Sequence, residues 1–289
     1  MVDAAPLKGP VTLIGARGML ARALAHLLAA RSLHFTPADL PEHDITSPDS
    51  VRRLLSSPGG VILNCAAYTD VDGAEADPAA AHRVNAHAVE ILAARAREID
   101  ATLVHFSTDY VFDGAGRAPY PTDHPRAPLN EYGRSKAAGE EALERSGARF
   151  LIIRTSWLYA PWAKNFVRTI AKAAAARPEL RVVSDQRGRP TSAENLARQT
   201  LALIDRGATG IYHATDAGEC TWHQFAAAIV SGLNLPARVE PCTTAEFPRP
   251  ARRPAYSVLD ISATDELIGP APHWNDCLAS VLSRLEQPL

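Results

Sequence analysis

Tyr132 and Lys136 lie four positions apart in the stretch NEYGRSKAAGEE, Asn130 to Glu141, which holds no other aromatic residue. In a helix that spacing puts both side chains on one face. A phenol with an ordinary pKa of about 10 is a poor acid–base group at neutral pH. An ammonium beside it favours the phenolate and brings it toward the working range. Such a pair suits reduction of a ketone by a nicotinamide, in which the carbon takes a hydride and the developing alkoxide takes a proton. The same lysine can hydrogen-bond the nicotinamide ribose. A third group should polarise the carbonyl, and Thr108 in Ser107-Thr108-Asp109 is the candidate. The tyrosine–lysine spacing is common on ordinary helices, and a threonine can simply end a strand. What surrounds them therefore has to decide.

A glycine turn lies upstream. Gly15-Ala16-Arg17-Gly18-Met19-Leu20-Ala21 follows the apolar run VTLI and opens an amphipathic run. The first glycine permits a tight turn, and the second lets backbone approach a pyrophosphate resting on a helix amino terminus. The small Ala21 allows close helix–sheet packing. Asp39 lies about twenty residues past the turn, where an acidic side chain binds a ribose diol and favours NADH. Arg17 could instead meet a 2′-phosphate and favour NADPH, or be a solvated turn residue, so cofactor choice stays open.

The elements that must position these groups follow a rhythm. VTLIG, LHFTPAD, VILNCAA, TLVHFST and FLIIRTS read as strands. MLARALAHLLAA has leucines at helical spacing, Ser47-Pro48 and Asp77-Pro78 mark helix starts, and Val84, Ala88, Ile91 and Leu92 continue the second of these. Alternating helices and uninterrupted apolar strands imply an α/β fold, a Rossmann-type doubly wound parallel sheet covered on both faces. Ligands of such sheets sit beyond the carboxyl ends of the strands, and the glycine turn and Thr108 both fall there. After Trp157 the rhythm changes to proline- and arginine-rich stretches such as EFPRPARRPAYS. We expect residues 1–156, with about 190–215 returning, to form the dinucleotide-binding domain. Residues 157–189 and 216–289 should form a smaller substrate-binding lobe.

A net charge of −2 over 289 residues argues against a nucleic-acid coat or a polybasic membrane anchor. No apolar run approaches the length of a membrane span, and the start has no basic segment followed by a long apolar one. A cytoplasmic protein is expected. Cys65, Cys220, Cys242 and Cys277 form no C-x-x-C pair, which leaves buried free thiols as the simpler reading.

With these motifs in order, the sequence resembles the extended short-chain dehydrogenase/reductases and, within them, the dTDP-4-dehydrorhamnose reductase family. STDYVFDG, then Y-G-x-S-K-x-x-G-E, then RTSW-x-Y carry the resemblance, with VILNCAAYTDVDGAE, DQRGRPTSAENLA and RPAYSVLD beside them. It spans nearly the whole chain. The resemblance implies hydride transfer from NADPH or NADH to C4 of a dTDP-4-keto-6-deoxyhexose. Tyr132 would deliver the proton, supported by Lys136, and Thr108 would hydrogen-bond the carbonyl. It further implies dinucleotide contacts at Gly15, Arg17, Gly18, Met19, Leu20, Asp39, Asp44, Ile45, Ala67, Tyr68 and Thr69, besides Tyr132 and Lys136. Asp109 would touch the sugar, Trp157 would bound the sugar-nucleotide pocket or pack in the core, and Arg253 would meet substrate phosphate.

Two departures stand out. Tyr256 occupies the place where the family usually carries asparagine. A metal-assisted dimer in some members relies on acidic residues near the carboxyl terminus, and the tail SVLSRLEQPL offers only Glu286. Glu194 matches another position of that cluster but also suits a helix start. We expect no required metal, and a homodimer stays open. Dehydratases of this fold carry Thr-Asp-Glu where this chain has Tyr110 third, so elimination chemistry lacks its acid. Another reductase of deoxysugar synthesis remains an alternative. So does a non-catalytic NADP-binding subunit like that of methionine adenosyltransferase.

Overall fold

The computed structural model describes Leu7 and residues 9–285. In chain order, β1 (Val11–Ile14), α1 (Met19–Ala30), β2 (Thr36–Ala38), α2 (Pro48–Leu54) and β3 (Val61–Asn64) come first. α3 (Val71–Ala76), α4 (Pro78–His82), a π-turn (Arg83–His87), α5 (Ala88–Glu98) and β4 (Thr102–Thr108) follow. Then come α6 (Glu131–Arg145), β5 (Arg149–Thr155), β6 (Leu158–Tyr159), α7 (Phe166–Ala176), β7 (Glu179–Val183), β8 (Arg187–Gly188) and β9 (Thr191–Ser192). The chain ends with α8 (Ala193–Asp205), β10 (Gly210–His213), β11 (Cys220–Thr221), α9 (Trp222–Gly232), β12 (Arg238–Cys242), α10 (Ser262–Ile268) and α11 (Trp274–Leu282).

Six parallel strands form the main sheet in the order β10-β5-β4-β3-β1-β2. The direction of winding reverses between β1 and β3, and ligands of such sheets bind at that point. Every residue of β1 and β3 is buried, as expected of strands covered on both faces. One apolar core lies under α1 and α8 and includes Leu20, Leu24, Leu28, Leu196 and Leu201. The opposite core gathers Ile14, Val51, Val89, Leu92, Leu103 and Leu143. A third core belongs to the later segments and centres on Tyr159, Phe225, Ile229 and Trp274. Between them, α8 and β10 return to the first sheet, β10 pairing with β5 from Gly210↔Leu151 to His213↔Arg154.

Local chemistry explains the helix starts. Ser47 accepts from the Ser50 amide with Pro48 in the first turn, and Asp77 accepts from the Ala80 amide at 2.9 Å. Beyond α4 the helix differs from the regular one that the periodicity suggests. It takes in one extra residue at Arg83–His87, and this π-turn turns Asn85 inward.

Candidate active site

The α6 helix begins at Asn130, whose side chain accepts from the Gly133 amide at 2.8 Å. Its other side-chain atom, Nδ2, donates to the Arg252 carbonyl and ties this helix start to the later segment. Two glycines let α6 come close to its neighbours. A methyl group at Gly133 would stand 2.2 Å from the Tyr110 carbonyl oxygen, and one at Gly139 2.0 Å from that of Asn85. Asn85 in turn holds the loop after β3. Its Oδ1 accepts from the Tyr68 amide at 2.9 Å, and its Nδ2 donates to the Tyr68 carbonyl and to Ser135 Oγ.

Tyr132 lies in the first turn of α6, and its phenol neighbours the Thr108 hydroxyl at the end of β4. Thr108 Oγ1 donates to Asp109 Oδ1 at 3.0 Å and accepts from the Tyr110 amide. Tyr110 meets Tyr132 edge-on, with ring centroids 6.0 Å apart. Asp109 is buried, and its Oδ2 has no partner. Burial pushes its carboxyl up to about 7, against the neighbouring Ser257 and Thr108 hydroxyls that favour the charged form. Ser257 is a residue the motifs did not single out, and it brings the RPAYS segment onto the site.

The hydrogen bonds of Lys136 run to β4 rather than to the phenol. Its Nζ donates to the Phe106 carbonyl at 2.6 Å and stands 3.2 Å from His105 Nε2. The expectation that an ammonium lowers the Tyr132 pKa is not met: burial pushes the phenol up to about 12, offset only by the neighbouring Thr108 hydroxyl. Burial also brings the Lys136 amine down to about 8, with Glu140 opposing it. Glu140 is fully buried and accepts from Arg154 through Nε and Nη2 and from Arg126 Nε at 2.6 Å. Burial raises this carboxyl, but the Arg154 hydrogen bonds and charge, with Ser107 and Arg126, hold it below the usual range. Glu140 closes the Y-G-x-S-K-x-x-G-E motif and Arg154 opens RTSW, yet neither was given a role there, nor were His105 and Asn85, and all four brace the helix that carries Tyr132.

At the glycine turn, the Gly18 amide donates to the Gly15 carbonyl at 2.8 Å, and no side chain caps α1. A methyl group at Gly15 would lie 2.7 Å from the Ala66 amide nitrogen, so the turn sits directly on the loop after β3. The open helix start and bare backbone fit a dinucleotide pyrophosphate on Gly18, Met19 and Leu20. Asp39 follows β2 and accepts from the Arg17 amide at 2.7 Å and the Leu40 amide at 2.8 Å. The Arg17 guanidinium reaches the Leu40 carbonyl, so the two candidates for ribose recognition stand side by side. Asp44 Oδ1 accepts from Thr46, Ile45 is buried, and Ala67 and Tyr68 are half-buried with Thr69 exposed in the loop after β3.

A cavity of about 660 Å³ adjoins Tyr110 and is lined by Phe166, Arg181, Gln186, Trp222, Thr244, Phe247, Arg249, Arg252 and Arg253 among others. Arg253 pairs with Asp72 through both carboxylate oxygens, at 2.6 and 2.9 Å, and its charge faces the Tyr110 phenol. It therefore stands between the cavity and the Tyr132 cluster. Trp157 has a left-handed φ of 47°, unusual for an aromatic residue, and stacks on Trp222 with ring centroids 3.6 Å apart. It backs the cavity through Trp222. Tyr256 turns toward Tyr120 and Glu219. A second groove, of about 700 Å³, runs along the outer face of α4, α5 and α6 beside Arg83, Arg97 and Arg145, and it contains neither Tyr132 nor Thr108. Glu194 makes a two-pronged ion pair with Arg284 at 2.6 Å, and Glu286 lies outside the described residues. Among the described residues, no three His, Cys, Asp or Glu side chains cluster as metal ligands.

A family model described as the RmlD substrate binding domain matches residues 10–287. The chain belongs to this family. Among its RmlD-family relatives, it is 39% identical over 297 aligned residues to a dTDP-4-dehydrorhamnose reductase of Burkholderia thailandensis, covering 95% of this chain and 99% of that protein. It is 45% identical over 249 residues to a probable dTDP-4,6-dihydroxy-2-methyloxan-3-one 4-ketoreductase of Streptomyces antibioticus, covering 85% and 84%. The crystal structure of dTDP-4-dehydrorhamnose reductase from Bacillus anthracis in complex with NADP is similar at a TM-score of 0.91 and 35% identity, covering 96% of this chain and 99% of that one. UDP-glucose 4-epimerase from Thermotoga maritima, at 14% identity and a TM-score of 0.83, shares the fold alone.

Proposed function

We propose that the protein is an NAD(P)H-dependent oxidoreductase that reduces the C4 ketone of a dTDP-4-keto-6-deoxyhexose, converting dTDP-4-dehydrorhamnose to dTDP-L-rhamnose. The observation that carries this reading is the neighbouring Tyr132 phenol and Thr108 hydroxyl at the carboxyl end of β4. Tyr110, which meets Tyr132 edge-on, lines an arginine-rimmed cavity. When bound, the reduced nicotinamide supplies a hydride to C4.

The rest falls to the chain's own groups. Gly15, Arg17, Gly18, Met19, Leu20 and Asp39 hold the dinucleotide from the β1 and β2 ends, with Asp44, Ile45 and the Ala67–Thr69 loop alongside. Thr108 donates a hydrogen bond to the ketone oxygen, and Tyr132 delivers its proton to that oxygen as negative charge develops. A neutral phenol is the form required for this delivery. Asp109 reaches the sugar hydroxyls, while Arg253, with its neighbours Arg249 and Arg252, meets the diphosphate. The nucleoside occupies the cavity before Trp222, with Trp157 behind it. In this reading, residues 1–156 and about 190–215 hold the dinucleotide, and 157–189 with 216–289 hold the sugar nucleotide.

Among the described residues, no helix is long and apolar enough to cross a membrane. We propose the cytoplasm as the compartment; a mass measurement in solution decides between monomer and homodimer. The reductase reading is tested by incubating the protein with dTDP-4-keto-6-deoxyglucose, with and without a 3,5-epimerase. Cofactor oxidation is followed and the product sugar identified. Formation of dTDP-L-rhamnose only with the epimerase is expected. Cofactor binding with no turnover of any keto sugar would overturn the reading in favour of a non-catalytic subunit.

A further inference from the structure

Lys136 ends in a closed, buried chain of polar groups that proton delivery by Tyr132 does not by itself require. Asn64, His105 and Lys136 are 1%, 0% and 2% exposed. They come from β3, β4 and α6, and only the sheet order brings them together. Asn64 Oδ1 accepts from the Ala66 amide at 3.2 Å, which fixes the orientation of the side-chain amide. Its Nδ2 therefore donates, and the atom it meets at 3.1 Å is His105 Nδ1. A neutral imidazole that accepts at Nδ1 carries its proton on Nε2. That Nε2–H points at Lys136 Nζ, 3.2 Å away. An ammonium has no lone pair to accept such a bond, whereas a neutral amine has one. Phe106 O takes one amine hydrogen at 2.6 Å in either state.

We propose that His105 is a positioning residue whose Nε2–H competes with a proton for the lone pair of Lys136, making this lysine a proton-exchanging group rather than a fixed cation. The proton passes from Nζ to solvent water as the lone pair accepts the imidazole N–H, and water returns one to the same lone pair when that bond opens. The low pKa of the amine, about 8, agrees with this arrangement, although burial is its largest cause. His105 is itself kept neutral by burial and by the charge of Lys136.

The remaining charged groups around the amine work in other directions. Glu140, one turn on in α6, favours the ammonium, but it is held by Arg154 of β5 and by Arg126. Tyr132 lies one turn back in α6, and Asp109, just past β4, raises its pKa. On the α3 and α4 side, Glu75 accepts from the Glu131 amide and His82 faces the Glu131 carboxylate, both at the start of α6.

The lysine count makes this measurable, because the chain has only Lys8, Lys136, Lys164 and Lys172. In protein carrying ¹³C at the lysine Cε positions, the resonance missing from Lys136→Met identifies Lys136. It should titrate near 8. His105→Phe, which removes the donor but keeps a ring, should raise that value by on the order of one pH unit. His105→Gln, which can still present an N–H, should stay closer to the parent. Long-range ¹⁵N–¹H spectra of the unsubstituted protein should show His105 bare at Nδ1 and protonated at Nε2. A Lys136 that titrates with the other lysines, a titration unmoved by His105→Phe, or a proton on Nδ1 would each overturn the proposal. Should His105→Phe not fold, the tautomer and the Lys136 titration of the unsubstituted protein decide alone. None of these readouts needs turnover, so failure of every keto sugar would count against the reductase reading and leave this test standing.

Discussion

Replacing Tyr132 by Phe removes one hydroxyl and little else. The ring keeps its edge-on contact with Tyr110 at 6.0 Å. Thr108 keeps its bonds to Asp109 Oδ1 and the Tyr110 amide, so the lost phenol leaves no orphaned buried hydroxyl. Stability should therefore change by no more than about 1 kcal/mol. A positioned general acid contributes about 10²–10⁴-fold to rate, or roughly 3–5 kcal/mol of barrier. Turnover of the epimerised keto sugar should fall by that factor, while the dissociation constant of the reduced cofactor stays within about threefold. The assay is steady-state loss of reduced-cofactor absorbance, paired with cofactor titration by fluorescence and urea unfolding of both proteins. A rate loss below tenfold would refute the proton-delivery role. So would a loss confined to KM, because the phenol would then only be binding substrate.

Three further outcomes follow from the same geometry. Glu140→Gln leaves Arg154, which is 1% exposed, without its counter-charge, and should cost about 3–5 kcal/mol in urea unfolding. A cost under 1 kcal/mol would show that the pair does not brace α6. Asp109 has a folded pKa of about 7, above its ordinary carboxylate value, so the folded state binds the extra proton between about pH 4 and 7. Its contribution to stability is complete below that window and is lost as pH rises through 7. Asp109→Asn should flatten this dependence by on the order of 2–4 kcal/mol, and parallel stability–pH curves for the two proteins would refute it. Arg253→Ala should raise KM for the sugar nucleotide at least about tenfold with kcat within a few-fold, because charge-assisted hydrogen bonds are lost from substrate and transition state alike. An unchanged KM would leave Arg253 as a partner of Asp72 alone.

The sheet was legible because its strands are continuous apolar runs and its helix starts carry Ser47, Asp77 and Asn130. Tyr132 and Thr108 were legible as a pair because strand ends and helix starts converge in this architecture. Lys136 shows where local reasoning stops. Helical spacing puts it on the face of Tyr132, but the long side chain follows hydrogen bonds, and its partners Phe106 and His105 are about thirty positions away. His105 reads as one more residue of an apolar strand, and Arg154 as a stray charge in another. Their meaning depends on Asn64 and Glu140, which only the folded topology supplies. The apolar periodicity of VNAHAVEILA is likewise compatible with a regular helix and gives no sign that Asn85 clamps Tyr68 seventeen positions earlier.

The π-turn at Arg83–His87 also bears on how the chain can be altered. One residue of an α-helix is about 100° of rotation, so the extra residue offsets the buried face of α5 from that of α4. Deleting any single residue of this turn would make the helix regular and would swing Val89, Leu92 and Ala96 out of their core, or else carry Asn85 away from Tyr68. A point substitution at an exposed site here can be absorbed; a frame-preserving one-residue deletion cannot. A chimaera between relatives therefore has to take Arg83–His87 whole from one parent, together with the Tyr68 loop that it grips.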